Sequence, residues 1–282
     1  MANVKIVTDS SAQLTDEEIN EYGITVVPLT VMIDNTVYVE GDTITNETFV
    51  PKMMSAKDLP KTSQPPVGKF VETFNELGAD GSQVLCINML AAISGTVHAA
   101  EQAATLSTSE VTVIDSQMTD RGLGFQVIEA AKLAQQGADM PALLSRIEKI
   151  RDNTKLYLCV MTLDNIVKGG RLHPVAGAIT NFLNIKLGLQ VTGGKLKIVS
   201  KSRGDKSLRK FFNRIIDDMK NTPALKKIGI SYVTESKVLK ETVDELKATF
   251  PDVPLLYRIT SPIISTHTGE GAFALIYYSD PD

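Results

Sequence analysis

The chain has 282 residues and no tryptophan, only two cysteines and three histidines. Two thiols are too few for a disulfide scaffold, and His98 and His173 have no companions at metal-ligand spacing. Cys86 and Cys159 lie in Val84-Leu85-Cys86-Ile87 and Tyr157-Leu158-Cys159-Val160, apolar strand-like runs. They read as buried free thiols in a reducing compartment. No run of 18 apolar residues occurs, which argues against a membrane span. The first residues pass directly into Val4-Lys5-Ile6-Val7-Thr8, which argues against a secretory signal. The expectation is a cytoplasmic protein without stable membrane insertion. Catalytic motifs are missing as well: there is no Walker loop, no G-x-S-x-G elbow and no paired-carboxylate motif in a recognisable setting.

What is present describes a well-cored globular chain, 43% hydrophobic and 22% charged, with a formal net charge of −4. That sign argues against a general nucleic-acid or anionic-membrane binder. In the first half short β-rich runs alternate with helical stretches. Val4–Thr8, Val84–Asn88 and Val111–Asp115 read as strands, Ile24–Met32 as a second apolar run, and Thr96–Leu106 and Leu123–Gln136 as helices. Thr15-Asp16-Glu17-Glu18 is a capping box, and Thr62 to Pro66 carry start signals for a helix through Leu77. This rhythm predicts a mostly parallel sheet with helices on both faces. After Asn153 the pattern changes. Leu187–Val191 and Lys195–Val199 flank Thr192-Gly193-Gly194, a hairpin signal. A short apolar helix is expected over Ala176–Leu183, and further alternating elements predict a mixed sheet. The expected fold is therefore α/β, with residues 1–153 and 154–282 as two closely packed domains and a ligand cleft between them.

Hydroxyl-rich turns at strand–helix junctions are the most informative feature: Asp9-Ser10-Ser11, Thr62-Ser63-Gln64 and Ser94-Gly95-Thr96. The last opens a helix after a strand of a parallel sheet, where ligands bind. A helix start offers unpaired N–H groups, Ser94 and Thr96 add donors, and Gly95 permits close approach, a chemistry suited to a carboxylate or phosphate. Lys168-Gly169-Gly170-Arg171 exposes backbone and adds a planar fork for oxyanions. His267, in Ser265-Thr266-His267-Thr268-Gly269-Glu270-Gly271, reads as a small-residue turn able to donate to an anion or move a proton. A plain N-cap, a solvated arginine and a structural histidine account for the same residues. Gly269–Ala274 superficially matches a dinucleotide fingerprint but precedes a strand instead of opening a helix. Between Lys186 and Lys210 eight basic residues face one acid, Asp205. That concentration favours a docking or phosphate-facing surface over a nucleic-acid one, since aromatic residues are absent until Phe211.

These blocks, in this order, resemble the DegV family of bacterial proteins: Val7-Thr8-Asp9-Ser10-Ser11, Lys61-Thr62-Ser63-Gln64-Pro65, Ile93-Ser94-Gly95-Thr96, Val113-Ile114-Asp115-Ser116, Lys168-Gly169-Gly170-Arg171, Leu183-Asn184-Ile185-Lys186 and His267-Thr268-Gly269-Glu270-Gly271. The resemblance implies two α/β domains enclosing a long-chain fatty acid, with no cofactor. It also implies a separate ATP-dependent fatty acid kinase subunit as partner, which phosphorylates the bound carboxylate. Under it Thr62 and Ser94 hold the carboxylate, Ser63, Gly95 and Thr96 adjoin it, Arg171 and His267 stand close enough to assist phosphoryl transfer, and Arg203 faces the kinase. Ile93, Met89, Met118, Phe125 and Ala176-Gly177-Ala178-Ile179 are candidate tunnel walls. The chain departs from the family at Ala91-Ala92-Ile93, where serines are usual, at Val97 for tyrosine, and at Leu187 and Glu270 for prolines. Two rival readings are a serine hydrolase with Ser94 as nucleophile and His267 as base, and a lipid-responsive sensor signalling through the basic face.

Overall fold

The computed structural model describes residues 3–172 and 185–280. The helix expected over Ala176–Leu183, the wall residues 176–179, His173 and the Leu183-Asn184 pair fall outside the described residues.

Thirteen elements precede Asn153: β1 (Val4–Asp9), α1 (Asp16–Tyr22), β2 (Thr25–Val27), β3 (Thr30–Ile33), β4 (Thr36–Val39), α2 (Asn46–Ser55), β5 (Lys61–Ser63), α3 (Val67–Gly78), β6 (Gln83–Asn88), α4 (Thr96–Leu106), β7 (Val111–Asp115), α5 (Asp120–Gln135) and α6 (Met140–Asp152). The main sheet here has the order β2-β1-β6-β7, with every pair parallel. A three-stranded antiparallel sheet, β4-β3-β5, stands beside it. The apolar run Ile24–Met32 is therefore two strands in two sheets, because Pro28 cannot donate to a ladder and the chain turns there.

The remaining elements are β8 (Thr154–Val160), α7 (Asp164–Lys168), β9 (Ile185–Thr192), β10 (Lys195–Arg203), α8 (Asp205–Lys220), β11 (Leu225–Tyr232), α9 (Lys237–Thr249), β12 (Leu255–Ile259), α10 (Pro262–Thr268) and β13 (Phe273–Ser279). They form a six-stranded sheet, β10-β9-β8-β13-β11-β12, mixed because only β11 and β12 run parallel. The β9–β10 hairpin closes through Gly193 and Gly194, whose φ angles of 56° and 65° are those a type I′ turn demands. Helix α8 is amphipathic, burying Leu208, Phe211, Phe212, Ile215, Ile216 and Met219 on one stripe.

Helix α5 joins the two sheets. Eleven of its 16 residues are buried, so it has no solvent stripe and must lie between layers. Leu123, Val127 and Ile128 pack with Ile6 and Leu85 of the parallel sheet. Phe125 packs against Tyr278 of β13 with ring centroids 4.9 Å apart and the rings tilted by 53°. Gly124 allows the approach, since a Cβ there would fall 2.3 Å from the Ala12 carbonyl oxygen. At its first turn Arg121 forms a bidentate pair with Glu18 at 2.5 and 2.6 Å, and Asp120 accepts from Ser231 and Thr260 of the second sheet's side. Both cysteines are buried and free, and burial raises their thiol pKa values, that of Cys159 to about 12. Among the described residues no helix is long and apolar enough to cross a membrane.

Candidate functional site

A cavity of about 360 Å³ lies between the two sheets, within the range of small-molecule sites. Its apolar walls come from both halves: Leu29, Met89, Leu90 and Ile93 from the first, and Leu158, Ile166, Val191, Leu196, Ile263 and Ile264 from the second. Met89 and Ile93 are thus wall residues as expected. Met118 and Phe125 are not: they sit in the packed cluster with Ile150, Leu156 and Tyr278 that supports Leu90 and Val191 from behind. An apolar residue next to a cavity and one filling the core beneath it have the same sequence signature.

The polar groups arrive on different elements. β5 pairs with β3 at Val31↔Thr62 and Thr30↔Ser63, which brings Thr62, Ser63 and then Gln64 to the cavity. Sequence reading made Thr62 and Ser63 helix start signals; they are a short strand, and α3 begins at Val67. Ser94 and Gly95 end the loop that leaves β6 and start α4, at the carboxyl end of the parallel sheet. Ser94 Oγ pairs with Thr96 Oγ1 at 2.8 Å and accepts from the Thr96 amide at 3.3 Å. Thr96 itself is fully buried and does not line the cavity, so it supports Ser94 from behind rather than meeting a ligand. Gly95 does line it, but its missing side chain makes room for the Gln64 amide: a Cβ would fall 2.0 Å from Gln64 Oε1.

His267 belongs to a helix, not a turn. It occupies the last turn of α10, whose N-terminal amide of Ile263 donates to Glu40 at 2.8 Å. Asn165 donates to the Thr266 carbonyl from α7. The imidazole Nε2 lies 2.9 Å from Thr62 Oγ1, across the domain junction. Its Nδ1 is buried without a hydrogen-bond partner among the described residues and rests on Gly169, where a Cβ would fall 2.2 Å away. Gly169 is therefore the seat of the ring, whereas sequence reading took the glycine pair as exposed backbone. Burial, and secondarily the Arg171 charge, hold the imidazole pKa at about 4, so the ring is neutral near pH 7.

Arg171 follows α7 through Gly170 at φ 74°. It lines the cavity half-buried, donating Nε to the Ile93 carbonyl at 3.0 Å and Nη1 to the Gly169 carbonyl at 2.6 Å. Burial lowers its pKa without threatening its charge. Thr62, Ser94, Arg171 and His267 are thus brought to one cavity, with no carboxylate among the described residues that line it. Ser94 is bonded to Thr96 and His267 to Thr62, and nothing orients Nδ1, so a Ser94–His267 nucleophile–base pair is not formed.

Other expectations resolve elsewhere. Asp9 accepts from Ser11, Asn88 and the Met89 amide, a structural role away from this cavity. His98 is exposed and paired with Glu101. Of the basic run, Lys186 pairs with Asp205 and Arg209 with Glu245, which leaves Lys195, Lys197, Lys201 and Arg203 on the outward face of β10, an edge strand. Gln64 and Thr268 line the cavity, noted from sequence only as parts of motifs and given no role of their own; Thr119 lines it and was missed, because a lone polar residue at an element end carries no spacing signal. The hairpin alternation does point to Val191 and Leu196, which face inward while the lysines face out.

Fold and site together define a class: an α/β protein of three sheets with a mainly apolar cavity at the junction, whose lining also takes in Thr62, Ser94, Arg171 and His267. The DegV family model matches residues 3–280, and the chain belongs to that family. It is 46% identical over 276 residues to a DegV domain-containing protein of Streptococcus pneumoniae, covering 98% of both chains. Among solved structures it is similar to DegV of Bacillus subtilis, described as a fatty acid binding protein (TM-score 0.91, 25% identity, 99% and 100% of the chains). A DegV family protein of Thermus thermophilus, described by its fatty acid binding, is likewise similar (TM-score 0.88, 27% identity, 99% and 100%).

Proposed function

We propose that the chain binds one long-chain fatty acid in the interdomain cavity and presents its carboxylate to a separate ATP-dependent kinase for conversion to an acyl phosphate. The carrying observation is the cavity itself, with mainly apolar walls and with Thr62, Ser94, Arg171 and His267 together in its lining. Burying each methylene contributes about 0.8 kcal/mol, so a tail of roughly 15 carbons supplies on the order of 12 kcal/mol of gross driving force. Desolvating the carboxylate costs several kcal/mol, offset by charge-assisted hydrogen bonds. The tail supplies affinity and the polar end supplies orientation.

The neutral imidazole sharpens the role of Thr62. An unpaired buried acceptor is tolerated better than an unpaired N–H. The ring proton therefore belongs on Nε2, facing Thr62, with the partnerless Nδ1 left bare. The Thr62 oxygen then accepts from the ring, and its own proton is free to be donated to a carboxylate oxygen. Ser94 is the second donor, and Arg171 contributes charge near the transferred phosphoryl group. Arg203, outward on β10, is the proposed contact to the kinase. No nucleotide-binding role is assigned to the chain; ATP belongs to the partner in this reading.

Mass spectrometry of gently purified protein should reveal a co-purified fatty acid at about one per chain. Absence of any, with no uptake of added oleate or palmitate, would refute the lipid assignment. Mixing the loaded protein with a fatty acid kinase and ATP should yield acyl phosphate. A loaded protein that never supports phosphorylation leaves a lipid-responsive sensor.

A further inference from the structure

Two walls of the apolar cavity are tied together from outside it by one carboxyl group. Glu40 follows β4, is 5% exposed and is not among the described residues that line that cavity. Its Oε1 accepts from the Ile263 amide at 2.8 Å. Its Oε2 accepts from Ser10 Oγ, which in turn accepts from the Leu29 amide at 3.0 Å. The Glu40 amide donates to the Leu29 carbonyl at 3.1 Å, so Leu29 is held on both of its backbone groups. At Ile263 the bond is a helix cap. Ser261 makes no side-chain cap bond and Pro262 has no N–H, so the first N–H of α10 goes to Glu40. Leu29 and Ile263 both line the cavity, one from each half of the chain.

We propose that Glu40 is a positioning residue for this site, acting through β3 and α10, an inference that rests on the fatty acid reading above. The two elements it joins at their bases are those that bring the ligand-facing pair together. Leu29 immediately precedes β3, whose Val31 pairs with Thr62 of β5. Ile263 lies four residues before His267, on the same face of α10 and one turn away. His267 Nε2 and Thr62 Oγ1 then meet at 2.9 Å. An N–H···O bond spans only about 2.7–3.2 Å, so the spacing of β3 from α10 has to be fixed. Glu40 fixes it at one end and the His267–Thr62 bond at the other. A carboxamide in place of the carboxyl keeps this clasp. Its oxygen accepts from Ile263, and its NH₂ donates to Ser10, whose oxygen has a second lone pair beside the one that Leu29 uses. The neighbouring charges suit a neutral group, since Asp9, Asp16 and Asp42 line the outer cavity that Glu40 faces, against Arg258.

Two measurements on the full chain test this. Displacement of a fluorescent fatty acid by oleate reads affinity. The His267 Nε2–H signal of ¹⁵N-histidine-labelled, lipid-stripped protein reads the geometry, and it is identified by its loss in His267→Asn. Glu40→Ala should weaken binding by about tenfold and lose the signal to exchange with water. Ser10→Ala leaves Glu40 its bond to Ile263 and should weaken binding by about threefold. Glu40→Gln should bind within about twofold of the parent and keep the signal. Arg121→Ala, which acts on a different junction of the two halves, should leave both readouts as in the parent. Parent-like affinity in Glu40→Ala, or a retained His267 signal there, would overturn the proposal. So would an equal loss in Arg121→Ala, which would make Glu40 no more than a source of general stability. Should Glu40→Ala not fold, parent-like affinity in Ser10→Ala overturns it alone. A parent that takes up no fatty acid refutes the lipid reading instead, and the histidine signal still decides whether Glu40 sets the ring.

Discussion

The two polar clusters that join the domains use similar atoms to different ends. Around α5, the Arg121 guanidinium is matched by Glu18 and the Gln13 carbonyl, and Asp120 by Ser231 and Thr260. Burial works against the Glu18 charge, yet the Arg121 bonds hold that carboxyl below its ordinary pKa, so the pair is ionised, with Arg121 Nη1 and Nη2 engaged and Nε without a partner among the described residues. Around α10 the groups are sparser and mostly neutral. His267 hydrogen-bonds Thr62, Ser94 turns to Thr96, and among the described residues the imidazole Nδ1 has no hydrogen-bond partner. A cluster whose charges are matched fastens the two halves; one that leaves a hydroxyl proton such as that of Thr62 uncommitted can receive an anion. The difference predicts that changes at the first cluster act on stability and changes at the second on binding.

Arg121→Ala should give the largest effect. It leaves the Glu18 carboxylate, only 18% exposed, facing the protein without its partner. A loss of about 3 kcal/mol is expected in urea denaturation, at the low end for broken buried pairs because Glu18 retains some water. Gly169→Ala comes next and crosses the comparison. The new methyl collides with His267 Nδ1 and the Asn165 carbonyl oxygen, so a cost of about 1–3 kcal/mol should appear together with poorer fatty acid retention. Stability loss without any change in retention would show that the ring position does not matter to the ligand.

The pH dependence separates the clusters further. The folded-state pKa of His267, about 4, lies below its ordinary 6.5. The folded state therefore favours the neutral ring, and this stabilisation, complete above 6.5, is lost as pH falls towards 4. Glu40 runs the opposite way. Burial pushes it from 4.5 to about 7, against the bonds from Ser10 and Ile263, so its contribution is complete below 4.5 and is lost as pH rises through 7. Between about 4.5 and 6.5 the two slopes, each at most about 1.4 kcal/mol per pH unit, oppose one another. Relative to the parent, Glu40→Gln should make stability rise more steeply with pH in that window, and His267→Asn should make it rise less. Parallel curves for all three proteins would contradict both assignments. Smaller still in stability, Thr62→Val and Ser94→Ala should each weaken fatty acid binding by about tenfold, one hydrogen bond to a charged group, measured by ligand exchange.

Much of the parallel sheet was legible in the sequence because local signals there agree with the fold. β7 and α4 lie where the sequence pattern put them, although the N-cap of α4 is Gly95 with no side-chain cap bond, and the capping box at Thr15 forms as written. Helix α10 was not legible. Ser265, Thr266, His267 and Thr268 are weak helix formers, and the helix is held by distant partners, Glu40 at its start and Asn165 near its end. The site divides the same way. Ser94 and Gly95 were readable from a strand–helix junction, whereas the seat that Gly169 provides for His267 depends on a contact between segments far apart in sequence. Met118 and Phe125 were misplaced for a related reason: periodicity reports burial, not whether the buried face meets a void or more protein.

The outer end of the comparison is Arg203, where the smallest structural effect is expected. Strand β10 alternates, with Leu196, Ile198, Ser200 and Ser202 turned inward and Lys195, Lys197, Val199, Lys201 and Arg203 turned out. Arg203 pairs with Ile185 of β9 through the backbone, which a substitution leaves intact. Its side chain is exposed and belongs to neither polar cluster. Arg203→Ala should therefore change unfolding free energy by less than about 0.5 kcal/mol and leave fatty acid content unaltered. If β10 is the kinase-facing edge, the same variant should slow ATP-dependent acyl phosphate formation in a reconstituted assay, most at low salt and less as salt is raised, because outward cations act through attraction that salt screens. Unchanged turnover at every salt concentration would place the docking surface elsewhere, while lost lipid would mean that the outward face of β10 reaches the cavity that Leu196 lines from within.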